Sequence, residues 1–153
     1  MGSFSAFWGL TGAWILLIAA QVWSDARHRQ LPFEWTGLAG LVGLITFAVV
    51  HPVVHGAIWI GHVAAALGWG GLGWGLWVLG FLGLGDAATF AIFGLLFGAG
   101  LTLLVVAASY GLIGWLVIVW RGVFRRPVPD AWPFGVFLWP LSLGAWIWMW
   151  IPH

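Results

Sequence analysis

This sequence predicts an all-α integral membrane protein, a bundle of about six transmembrane helices. Three observations lead there. Hydrophobic residues make up 63% of the chain and charged residues only 6%, so too little polar surface exists to cover a soluble globule. Fifteen tryptophans accompany them, a residue that concentrates at membrane interfaces. Polar residues and prolines interrupt the apolar text at intervals near the ~20 residues that a helix needs to cross hydrocarbon. The 153 residues read as a single transmembrane domain, 1–153, with no separate head domain or low-complexity tail.

Helix 1 is expected over roughly residues 7–24. The N-terminal stretch lacks a basic n-region and a small-residue cleavage site, so it reads as a retained span and not as a secretory signal. Helix 2 opens near Pro32, where proline suits a first turn and Glu34 complements the helix N-terminus, and runs to about His51. Helix 3 covers about 56–80; its glycine-rich LGWGGLGWGLW suits close helix packing. Helix 4 starts at Asp86 and ends near Phe97, short for a full crossing. Helix 5 takes 101–120, and helix 6 takes about 133–150.

The charges orient this bundle. Arg27 and Arg29 lie between helices 1 and 2, and Arg121, Arg125 and Arg126 between helices 5 and 6. Four crossings separate the clusters, so both fall on one face, which the positive-inside rule makes cytoplasmic. Both termini and the HPVVHG connection are then outside. A formal net charge of +1 offers nothing to nucleic acid, and the absence of cysteine excludes disulfides, thiolate metal sites and a cysteine nucleophile.

Two acids stand out against this background, Asp25 and Asp86. An Asp at the centre of a membrane helix costs about 3 kcal/mol, so acids kept near the bilayer usually serve a function. Helix 2 leaves the cytoplasmic face and helix 3 returns to it, which puts the end of helix 1 and the start of helix 4 at one depth. Two carboxylates about 4 Å apart at an effective dielectric near 20 repel by about 4 kcal/mol, so one keeps its proton near neutral pH. The ionised partner can then activate a water while the protonated one polarises a scissile carbonyl, without metal or covalent intermediate. The structural alternative makes Asp25 a solvated helix end and Asp86 a helix N-cap. His51 and His55 have a helical spacing but Pro52 interrupts them, so no metal site is expected, and His62 reads as a packed interior histidine. Ser24, Ser109 and Ser142 have no plausible His or Lys partner at the cytoplasmic face, which argues against a serine protease.

The stretch from Asp25 to Pro32, DARHRQLP, resembles the D-x-R-x-x-x-I-P-N signature of the type IV prepilin peptidase family, and GLGD, Gly83 to Asp86, matches its GxGD signature. Gly94 and Gly98 are similar to the Gly-x-x-x-Gly that follows the second aspartate in that family, and RRPVPDAWPFGVF resembles its lead into the last helix. The resemblance implies an aspartyl endopeptidase of a bacterial or archaeal cytoplasmic membrane. Such an enzyme removes the short basic leader of type IV or Flp pilin or pseudopilin precursors at the cytoplasmic boundary. Asp25 and Asp86 would be catalytic, with Gly83, Gly85, Pro32, Gly94 and Gly98 as backbone support. Glu34 and Asp130 are candidate contacts for a basic leader, and Arg27 a candidate substitute charge. The chain lacks the family's cysteine-bearing insert, so it resembles the compact, peptidase-only branch, without methyl transfer. Phe33 replaces the signature Asn, and Ala88 stands where a Lys is common. No cofactor is expected. The partners expected are a prepilin or pseudopilin, the lipid bilayer and, at most, further copies of the chain. Two other readings remain: a presenilin-like GxGD protease, and a non-catalytic scaffold or transporter-type protein.

Overall fold

The computed structural model describes residues 2–28, 31–50, 56–125 and 134–150. Among these, every regular element is helical: α1 (Gly2–His28), α2 (Phe33–Val50), α3 (Gly56–Val78), α4 (Leu84–Phe124) and α5 (Gly135–Met149). Two helices are long and apolar enough to cross a membrane, Ala6–His28 within α1 and Leu84–Val123 within α4. Their outward surface is apolar too: Leu16, Ile60, Leu67 and Ile118 are each at least 70% exposed. A soluble monomer rarely presents such an uncovered apolar surface.

Among the described residues five helical segments stand where six were expected, because α4 joins the helices foreseen as 4 and 5 across a single non-helical residue. It is not straight. Gly98 sits inside it at φ 68°, ψ −176°, a conformation that is essentially restricted to glycine. The chain reverses there. Phe90 and Tyr110 both pack on Phe134, with ring centroids 6.2 and 4.8 Å away, whereas a straight helix would hold two residues twenty positions apart at roughly 30 Å. So α4 consists of two arms, and the foreseen break is a glycine fold-back and not a loop. The carbonyl of Leu95, in the last turn of the first arm, accepts a hydrogen bond from His62 Nδ1 at 2.7 Å. His62 therefore satisfies backbone at the break, in the packed interior role expected of it.

The first arm lies antiparallel to α3 at a distance set by small residues. A Cβ placed on Gly94 would come within 2.6 Å of the Ala65 carbonyl oxygen, and one on Gly73 within 2.9 Å of the Ala87 backbone. Backbones approaching this closely are how apolar helices associate when lipid removes the hydrophobic drive between them. α1 runs antiparallel to α5: Phe7 meets Trp150, Thr11 meets Trp146, and Trp14 stacks on Trp146 with centroids 4.6 Å apart at 11°. Trp14 also touches Phe93, Phe97 and Trp139, so a buried aromatic cluster joins α1, the first arm and α5.

These directions bring the C-terminus of α1 and the N-termini of α2, α4 and α5 to one end of the bundle. The second arm of α4 runs back toward that end, taking Arg121 and Arg125 with it, so they share an end with Arg27. α1 also continues one turn further than foreseen. Asp25 lies inside its last helical turn, where Arg27 and His28 complement the negative end of the helix dipole.

Candidate active site

Asp25 is buried, only 5% exposed, although it lies one turn from a helix end. Its partners come from the far end of the sequence. Oδ2 accepts the backbone N–H of Val136 at 3.1 Å, and the N–H of Gly135 is a further donor to the carboxylate. These are the first amides of α5, which have no intrahelical acceptor and sit at the positive end of its dipole. Residue 135 must be small for this to occur. A Cβ there would lie 2.9 Å from both Asp25 Oδ2 and Leu31 Cδ2.

Asp86 occupies the first turn of α4. The expected N-cap role falls instead to Gly83, and Asp86 sits three residues on, where Oδ2 accepts the Gly83 N–H at 3.4 Å. Oδ1 is buried and has no hydrogen-bond partner among the described residues. Leu31, six residues past Asp25, lies against both Gly85 and Gly135, so the two elements that carry the aspartates meet at one site.

The glycine before Asp86 explains how the two signature segments touch. A Cβ on Gly85 would collide with the Leu31 carbonyl oxygen and reach within 2.7 Å of Leu31 Cβ. Gly85 thus gives room to the chain that follows Asp25. Gly83 is under no such pressure; the nearest atom to a Cβ there is Asp86 Oδ2 at 3.4 Å.

A layer of polar side chains holds this arrangement from behind. Gln21, one turn before Asp25 and fully buried, donates from Nε2 to Thr36 Oγ1 at 3.0 Å. The Thr36 hydroxyl donates in turn to the Pro32 carbonyl at 3.2 Å, which ties α1 to the start of α2. On α4 the Thr89 hydroxyl donates to the Gly85 carbonyl at 2.8 Å. Buried polar groups paired in this way fix their neighbours because leaving any of them unpaired costs about 1–3 kcal/mol.

The other residues singled out from sequence are distributed as follows. Pro32 precedes α2 and offers its carbonyl to Thr36. Gly94 and Gly98 lie away from the carboxylates, the first in the α3 contact and the second at the fold-back. Glu34 is exposed in the first turn of α2. Arg27 is exposed, with its guanidinium 5.7 Å from the Trp23 ring centroid. Asp130, His51, His55 and Arg29 lie outside the described residues. Ser109 and Ser142 donate their hydroxyls to the carbonyls of Val105 and Trp139. Among the described residues, no three His, Asp or Glu side chains gather in a metal-binding group. Sequence reasoning missed Gly135 and the Val136 amide, whose only visible sign was a glycine following the proline-rich lead into the last helix.

Compared with known proteins, residues 10–119 match the family model described as the type IV leader peptidase family. No curated protein and no solved structure matches the chain. The matched segment contains both aspartates and the fold-back, and ends before the α5 amides that hold Asp25.

Proposed function

The chain belongs to the type IV leader peptidase family, and from that premise we propose that it is a membrane aspartyl endopeptidase that removes the leader peptide of a prepilin or pseudopilin. The observation that carries the proposal is the meeting of Asp25 and Asp86, from elements sixty residues apart, at one end of an apolar helical bundle. The Arg residues at that end support a cytoplasmic orientation, with six crossings formed by α1, α2, α3, the two arms of α4 and α5.

The hydrogen bonds support a division of labour. Asp25, with two backbone N–H donors at the start of α5, enters as the carboxylate that takes a proton from water. Asp86, with its Oδ1 free of protein partners among the described residues, enters as the acid that hydrogen-bonds the scissile carbonyl oxygen. Attack of the water gives a tetrahedral gem-diol. Transfer of the proton from Asp25 to the amine nitrogen then breaks the C–N bond, and the diol returns its proton to Asp86 as the new carboxyl group forms. The burial of Asp25 and the half-burial of Asp86 in a low-dielectric bundle strengthen these interactions relative to water.

A second reading is favoured by the same backbone bonds: both acids as helix-end caps in a non-catalytic homologue. Asparagine separates the two, since it caps helices about as well as aspartate yet cannot exchange the proton. Asp25→Asn and Asp86→Asn, expressed separately with a candidate prepilin, should insert normally and each lose leader removal by a factor of at least about a thousand. Wild-type processing in either variant would remove the dyad.

A further inference from the structure

Tyr110 is the single tyrosine of the chain, and the fold-back at Gly98 brings it to the end of the bundle that holds the two carboxylates. Its ring lies on Phe134, centroids 4.8 Å apart at 35°. Phe134 immediately precedes the two amides that hold Asp25, and Phe90, four residues beyond Asp86, packs on the same ring at 6.2 Å. Tyr110 is thereby pinned to the residue on which both acid-bearing elements converge.

Packing does not account for its hydroxyl. Tyr110 is 47% exposed, and it has no hydrogen-bond partner among the described residues. It interacts electrostatically with Asp86. The chain uses eleven phenylalanines, several of them in the buried aromatic cluster, where ring packing alone is needed. Here it carries instead a ring of the same shape with a donor at its tip, on an element that shares Phe134 with the Asp86-bearing arm.

We propose that Tyr110 is a substrate-positioning residue whose hydroxyl donates a hydrogen bond to a main-chain carbonyl of the peptide lying across Asp25 and Asp86. The inference rests on the aspartyl peptidase reading. A tyrosine suits the task because its ring, with two torsions and one face already packed, has little freedom to lose when substrate binds.

The test compares Tyr110→Phe, Tyr110→Leu, Asp25→Asn and Asp86→Asn with the wild-type protein in detergent micelles, using a prepilin substrate. Tyr110→Phe keeps the ring on Phe134, so its thermal midpoint should equal wild type while kcat/KM falls about tenfold, the loss of one hydrogen bond to substrate. Tyr110→Leu should lose the same activity and also melt earlier. Wild-type kcat/KM in Tyr110→Phe alongside inactive Asn variants overturns the assignment. Cleavage by the Asn variants defeats the peptidase reading itself.

Discussion

Replacing Gly135 with alanine should disable the enzyme far more than it unfolds it. The added methyl would stand 2.9 Å from Asp25 Oδ2 and 2.9 Å from Leu31 Cδ2, about half an ångström inside ordinary contact with each. The leucine methyl is the end of a flexible side chain and can rotate aside. The carboxylate cannot move without giving up its Gly135 and Val136 donors. Alanine in a helix gains about 1 kcal/mol over glycine, while crowding a packed site costs about 1–3 kcal/mol, so the net loss of stability is about 0–2 kcal/mol. Catalysis depends on geometry more steeply: a shift approaching 1 Å in a reacting group can cost about a hundredfold. Leader removal by purified Gly135→Ala should therefore fall roughly 30- to 100-fold, with the thermal midpoint only a few degrees below wild type. A variant that cleaves at the wild-type rate would show that the hold of α5 on Asp25 has no part in the chemistry, and the role given to that carboxylate would fail with it.

Two further outcomes follow from the fold-back. Gly98→Ala forces a side chain into a backbone region reserved for glycine, at about 1–3 kcal/mol; the variant should unfold at lower denaturant, and a midpoint equal to wild type would refute the reversal at that residue. His62→Phe keeps a ring against Phe47 and Gly98 but strands the Leu95 carbonyl, and should cost about 1–3 kcal/mol in the same assay, with His62→Gln recovering part of it. Equal stability of the Phe and Gln variants would remove the bond from the account.

Much of this molecule was legible because its polar residues are so few. Asp25 and Asp86 stood out as acids in apolar text, and the two signatures around them joined the chain to its family before any geometry was known. Helices α2, α3 and α5 begin and end within a few residues of where prolines, glycines and polar residues placed them. What stayed hidden is tertiary. These helices are apolar on every side, so no amphipathic stripe marks an inward face. Nothing local to Asp25 announces that its donors lie 111 residues later. Gly98 was legible as one half of a Gly-x-x-x-Gly pair, but its positive φ, which replaces a foreseen loop by a sharp reversal between two helical arms, was not. Gly85 was legible as backbone support beside Asp86, but nothing in the sequence names Leu31 as the neighbour it accommodates. Tyr110 drew no notice, since a lone tyrosine in a membrane helix carries no signature of its own.

The hold of the last helix on Asp25 also sets an order of events during biosynthesis. The ribosome delivers Asp25 and Asp86 long before residue 136, and in that interval the first acid lacks the backbone groups that aim it. Under the proposed aspartyl chemistry, a nascent chain carrying both signature motifs would stay inactive until its final helix docks, and the membrane would be spared a half-built hydrolase.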